Sequence, residues 1–369
     1  MTPRVVVHLV YNLAGAGAVE ARARTDIAVA SARGHRVVAV TDRLAGPPSV
    51  GGRVWSAVGP APWRALPGPG SELAAMYVIW RGLERAMRDA RPDVIVFHNS
   101  TLAWAALRIA RACGARSVFI VHALIRDRLE GGGNPYGPAT TRLYKAANRK
   151  ALLESNRIVC VSRHIARVAE AEGARSDSIR VAPNPVDPDF FRVANGHRDI
   201  DVLFVGRLSR EKGADVLLDA LRGLPGLRVV IAGDGPLREE LAAQARSIPA
   251  SIEFRGRVPR KDLPALYTRA ALQVVPSRSE PQGVVVLEAL ASGTPVVGSA
   301  VGGIPEMIDE SRNGWLVEPK RPDRLRAAIH SALENRDRLD EMRAAARASI
   351  APYTFHRLSD ALAGAYLDE

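Results

Sequence analysis

The stretch 276–306, PSRSEPQGVVVLEALASGTPVVGSAVGGIPE, limits the fold more than any other part of the chain. The apolar run 272–275 before it reads as the end of a strand, and a short polar loop follows. The apolar run from Val284 has the length and composition of a buried helix, stops at Gly293, and gives way to a second strand at 295–297. A strand-loop-helix-strand unit of this length belongs to an α/β sheet with parallel strands. Two carboxylates, Glu280 and Glu288, bracket the loop-to-helix junction, and Gly283 sits between them where a backbone can approach a ligand closely.

If the helix begins near Gly283, the amides of Gly283, Val284 and Val285 lack intrahelical acceptors and face the loop, which makes an anion site. Glu288 is four residues after Val284, on the same face and one turn down. There it is too deep to neutralise the anion, but it suits the hydroxyls of a ribose diol. Spacing alone fits equally an ordinary structural unit with solvated glutamates.

The rest of the chain repeats the pattern. VVVHLVYN (5–12) reads as a buried parallel strand, followed by a glycine turn, a helix ending at Gly34, and the strand RVVAV (36–40). The run Gly15-Ala16-Gly17-Ala18-Val19-Glu20 invites a dinucleotide-binding reading, but Glu20 stands where a third small residue is needed. A proline-glycine loop (60–71) and a helix (72–90) precede the strand VIVFH (94–98). A further helix leads to SVFIVH (117–122). His98 and His122 therefore lie at the carboxyl ends of parallel strands, where open α/β sheets hold ligands. A segment with three successive glycines (131–133) reads as a mobile loop feeding a basic helix, and RIVCVS (157–162) and RVAPNPVDPDFF (180–191) close the first half. Asp187-Pro188-Asp189 has the D-x-D form of a metal motif, but the stretch around it resembles the interdomain hinge of a known family, and that resemblance implies a structural role.

The chain of 369 residues is long enough for two domains. With 47% hydrophobic and 24% charged residues it reads as globular, and no apolar run approaches the ~18 residues that span a bilayer. The N-terminus lacks the apolar core and cleavage site of a signal peptide, and Cys113 and Cys160 lack metal-ligand spacing, so the expected compartment is the reducing cytoplasm. The net charge of +12 is uneven: residues 1–195 carry 27 Lys and Arg against 15 Asp and Glu, whereas residues 196–369 carry 24 of each. A basic first half suits an anionic acceptor, or peripheral contact with the inner face of an anionic membrane. The alternative is an arginine-rich composition, with 46 Arg to 5 Lys. Nucleic acid is not expected as a partner, because no binding motif is present and aromatics are 5%.

Several motifs fall in register. Glu280 and Glu288 form an E-x7-E pair inside EPQGVVVLEALASGTPVV, followed by VGGIPE. GRLSREKG (206–213) places Arg207 and Lys212 five apart at a strand-to-helix turn. GDGP (233–236), Gly256-Arg257-Val258 and NPVDPDFF (184–191) follow the same scheme. Together these resemble the family-4 retaining glycosyltransferases, which have the GT-B fold; the likeness is specific over the second half and looser over the first. It implies two Rossmann-like α/β/α domains with mainly parallel sheets facing across a cleft. Residues 1–192 plus 352–369 would form the acceptor side, and residues 193–351 the donor-binding side.

The resemblance implies transfer of a sugar, with retention, from a nucleotide-diphosphate donor of UDP or GDP type to an acceptor that the sequence does not identify. It implies no cofactor and no metal. By this resemblance Arg207 and Lys212 carry the charge of the departing diphosphate, and Glu280 with the amides of Gly283, Val284 and Val285 holds the sugar. Glu288 holds the ribose, Gly206 and Gly17 face the phosphates, and Val258 flanks the base. His122 lies near the donor sugar, and His98 lies on the acceptor side. Departures from the family pattern are Gln282, Pro185 and the separated glycines at 15 and 17. Three other readings stand beside it: a nucleotide-sugar epimerase of the same fold, an NAD-dependent two-domain oxidoreductase, and a non-catalytic sugar-nucleotide-binding protein.

Overall fold

The computed structural model of the chain describes residues 3–10, 18–41, 53–56, 91–130, 137–191, 198–310 and 312–367. The chain divides into two compact units. One comprises Met1–Ile125, Pro135–Asn184 and Leu358–Glu369, and the other comprises Arg126–Asn134 and Pro185–Arg357. The helix expected at 72–90, the loop at 60–71, the triple glycine at 131–133 and Gly17 lie outside the described residues.

The first unit holds a parallel sheet of seven described strands: β1 (Val5–Leu9), β2 (Arg36–Thr41), β3 (Arg53–Ser56), β4 (Val94–Phe97), β5 (Arg116–Val121), β6 (Arg157–Cys160) and β7 (Ile179–Val181). Their order is β3-β2-β1-β4-β5-β6-β7. β-Branched and aromatic residues dominate these strands because both faces are covered, and alternate residues enter different cores. Ile95 and Phe97 join one cluster with Leu102, Leu107 and Phe119, whereas Val94 and Val96 pack with Val118, Ile120, Leu362 and Tyr366. The latter two residues come from the chain's last helix, Phe355–Leu367, whose Tyr366 hydroxyl donates to Asp26 O at 3.1 Å. The end of the chain thus completes the unit that its beginning starts.

Helix boundaries follow local chemistry. The helix Ala103–Cys113 stops at Gly114, whose left-handed φ of 70° lets its amide turn back to the last carbonyls. The helix Arg163–Ala171 starts where the Ser162 hydroxyl accepts from the Ile165 amide at 3.1 Å.

The second unit holds a six-stranded parallel sheet: β8 (Ile200–Val205), β9 (Arg228–Ala232), β10 (Ser251–Gly256), β11 (Ala270–Val275), β12 (Val296–Ser299) and β13 (Gly314–Val317). Their order is β10-β9-β8-β11-β12-β13. β8 and β11 are adjacent although 64 residues separate their ends, and the sequence order of the strands reverses there. In open α/β sheets such a reversal opens a crevice at the carboxyl ends of the strands. Among the described residues no helix is long and apolar enough to cross a membrane.

Candidate functional site

The loops leaving β8 and β11 are clamped together. The Arg278 amide donates to Glu211 O at 2.8 Å, and the Arg278 guanidinium grips Asp215 through two bonds of 2.7 and 2.6 Å. A planar fork meeting a carboxylate in this way fixes orientation as well as distance. Its hold on Asp215 is partly shielded from water and keeps that carboxyl below its usual range. Between these contacts Gly213 turns with φ 70°, and a Cβ there would lie 2.0 Å from Pro276 O. Only glycine allows both the turn and the approach.

The consequence is a specific pair. Lys212 Nζ donates to Glu280 Oε2 at 2.6 Å, and the Ser277 hydroxyl reaches the same oxygen at 3.4 Å. Glu280 is buried, with 7% exposure, and its own carbonyl accepts from the Gly303 amide at 2.9 Å. The VGG segment after β12 therefore supports the loop from below. The other expected cation, Arg207, is exposed and forms no ion pair with a described residue. Gly206 closes β8 by donating to Ala232 O at 3.0 Å.

The helix Val284–Ala291 begins directly after this loop. Gly283 precedes it at φ 97°, with no side-chain cap, so the first amides keep no intrahelical acceptor. Gln282 is buried at 4% exposure, and Val258 is half-buried beside the cluster that includes Tyr267 and Val286.

Glu288 is 3% exposed and already engaged. Oε1 accepts from Arg260 Nη1 at 2.9 Å, and Oε2 accepts from the Tyr267 hydroxyl at 3.1 Å. Burial raises the Glu288 carboxyl above its ordinary range, and Arg260 opposes the rise. Burial beside this carboxylate also pushes the Tyr267 phenol well up, so it remains a donor. Asp187, from the D-x-D run, takes Arg260 Nε at 3.4 Å and accepts the Asp189 amide at 3.0 Å. Its ties are therefore structural. Among the described residues no group of three His, Cys, Asp or Glu has a metal-holding arrangement.

In the first unit, His98 and His122 are brought together, with His98 Nδ1 3.2 Å from His122 Nε2. His8 stacks on His98 with ring centroids 5.9 Å apart, extending the row into the sheet. Beneath it Arg22 binds both oxygens of Asp26 at 2.8 and 3.0 Å and donates to Ala182 O at 2.7 Å. Burial is the main cause that lowers His8 and His122 to about 3 and His98 well below its ordinary value, so all three rings are neutral at pH 7.

Sequence reading singled out the cations and glutamates but not their holders. Arg260, Tyr267, Arg278 and Asp215 were missed, because their partners lie between 21 and 63 residues away. His8 carried one legible signal: it is the only polar residue within the strand VVVHL.

Residues 186–349 match the family described as Glycosyl transferases group 1, and residues 19–190 match Glycosyltransferase Family 4. The chain is 30% identical over 291 residues to a glycogen synthase of Mycobacterium tuberculosis, covering 76% of this chain and 70% of that protein. Its fold matches sucrose-phosphate synthase from Thermosynechococcus elongatus with a TM-score of 0.83 at 19% identity, over 96% of each chain. It matches Anabaena HepE, solved in complex with UDP-glucose, with a TM-score of 0.76 at 18% identity, over 98% of each chain.

Proposed function

The chain belongs to the group 1 and family 4 glycosyltransferases and has their GT-B fold, and from that premise we propose that it transfers a sugar, with retention, from a nucleotide-diphosphate donor of UDP or GDP type. The single observation that carries the donor site is the Lys212–Glu280 pair of 2.6 Å beside the start of the helix Val284–Ala291. A fixed cation from the loop after β8 then meets a buried carboxylate and open helix amides from the loop after β11, a set suited to a sugar joined to a diphosphate. The complex of HepE with UDP-glucose supports a donor of this class.

In this reading Arg207 and Lys212 take up the charge of the leaving diphosphate, with Gly206 and Gly17 against the phosphates. Glu280 and the amides of Gly283, Val284 and Val285 hold the sugar, Glu288 holds the ribose, and Val258 borders the base. His122 belongs to the sugar and His98 to the acceptor. The bond from the anomeric carbon to the diphosphate oxygen breaks, and the acceptor oxygen bonds to the same face. The acceptor's proton passes to the leaving phosphate, so no side-chain base and no metal is required. The second unit is the donor-binding part and the first is the acceptor part.

Slow hydrolysis of the donor in the absence of acceptor tests this directly. Proton NMR of the nascent sugar from an α-linked donor will show the α anomer first; the β anomer first would refute retention. The basic first half also suits an anionic membrane surface, with Arg142, Leu143, Lys145 and Arg149 exposed on the helix Pro138–Glu154. Cosedimentation with phosphatidylglycerol vesicles but not with neutral ones is expected, and equal recovery with both would remove this assignment.

A further inference from the structure

Glu288 is a buried carboxylate whose surroundings count its lone pairs. Ionised, it offers about four acceptor sites on its two oxygens. Arg260 and Tyr267 use one on each oxygen. Two sites remain, the number that two adjacent hydroxyls require. Protonated, the group would lose an acceptor and gain an unwanted donor, so its usefulness depends on staying charged at 3% exposure.

Arg260 is the group that supplies the opposite charge, and it is itself held in place. Its Nη1 meets Glu288 at 2.9 Å, its Nε faces Asp187 at 3.4 Å, and its guanidinium carbon lies 5.4 Å over the centre of the Phe190 ring. Phe190 packs edge-on against Tyr267, the other donor to Glu288, with centroids 5.8 Å apart. One small assembly therefore fixes both the charge and the rotation of the carboxylate.

We propose that Arg260 is the positioning residue of ribose recognition, keeping Glu288 ionised and turned so that its two free lone pairs accept the ribose hydroxyls, and that it thereby sets the preference for a ribonucleotide donor over its 2′-deoxy counterpart. The inference rests on the reading of Glu288 as the ribose residue. Arg260 acts through Glu288 and not on the reacting atoms. Asp187 and Phe190, within the 3-10 turn and its approach after Pro185, extend the same support by holding Arg260.

The test is calorimetric binding of UDP, GDP and ADP, each against its 2′-deoxy counterpart, to the full chain and to Arg260→Met and Arg260→Lys. In the parent, the best-bound diphosphate is expected to beat its 2′-deoxy form by roughly tenfold, as the loss of a hydroxyl from a charged acceptor implies. Arg260→Met is expected to bring that ratio to about two or below, while thermal melting shows the variant folded. Lysine supplies a point charge that cannot reach Glu288 and Asp187 together, so Arg260→Lys is expected to lower the ratio about threefold. It decides the matter if the methionine variant does not fold. An unchanged ratio in a folded variant overturns the role of Arg260. A parent protein indifferent to the 2′-hydroxyl overturns the Glu288 reading and this inference with it, and binding of no diphosphate overturns the donor site itself.

Discussion

Lys212 Nζ and Glu280 Oε2 lie 2.6 Å apart although 68 positions separate the two residues. One side chain leaves the loop after β8 and the other the loop after β11, and the strand reversal between those neighbours is what brings them together. The pair is asymmetric: the Lys212 side chain is 27% exposed and that of Glu280 8%. Its cation is thus open to an incoming anion, while its carboxylate is held from behind.

If Lys212 and Arg207 answer the charge of the departing diphosphate, their removal falls on the chemical step. Lys212→Ala and Arg207→Ala are each expected to lower kcat by about a hundred- to a thousandfold, the usual loss when one preorganised charge partner of a transition state is deleted. Steady-state rates with the preferred donor check this. Near-normal turnover in either variant would remove that residue from the leaving-group role.

Gly213 and Gly226 share a left-handed turn, with φ of 70° and 75°, but not their surroundings. A Cβ on Gly213 would lie 2.0 Å from Pro276 O, whereas one on Gly226 would meet nothing within 4 Å. Gly226→Ala is expected to cost about 1 kcal/mol, the backbone penalty alone. Gly213→Ala is expected to cost about 2–4 kcal/mol, because the loops must separate as well. Urea denaturation of both variants gives the comparison, and equal costs would mean that the clamp between the two loops is not tight.

His8 stays neutral in the folded chain down to about pH 3, against an ordinary value of 6.5. Unfolding lets the ring bind a proton that the folded sheet rejects. Stability from this group is therefore complete above pH 6.5 and declines as the pH falls toward 3, by about 1.4 kcal/mol per pH unit. His8→Leu keeps an apolar ring-sized volume in the strand and is expected to flatten the fall in melting temperature between pH 6.5 and 4.5. An identical pH profile in parent and variant would contradict the burial of a neutral imidazole there.

Much of this arrangement is legible in the sequence, and the missing parts have physical causes. Runs such as VIVFH and RVVAV announce parallel strands because both faces are covered, so no polar alternation interrupts them. The motif spacing 206–213 and the pair Glu280 and Glu288 are legible because each motif is local, and the structure brings Lys212 of the first against Glu280 of the second. Which partner each charge takes is not local. Nothing near Glu288 announces Arg260, 28 residues earlier, and Arg278 meets Asp215 across 63. The family resemblance places the division after residue 192. In the structure, contacts divide the chain at Asn184 and Pro185, because Val186 and Phe190 are buried in the second unit's core. β3 escaped notice because RVWS is too short to show a period.

Binding of a nucleotide-diphosphate sugar by the second unit is measured by a thermal-shift panel of UDP-, GDP-, ADP- and TDP-sugars. A ligand that binds only the folded chain stabilises it by about 2.7 kcal/mol at a hundredfold excess over its Kd. A concentration-dependent rise in melting temperature is expected with one base, most strongly from the UDP or GDP sugars, and is largely lost in Lys212→Ala. A melting temperature unmoved by every sugar nucleotide would contradict that binding.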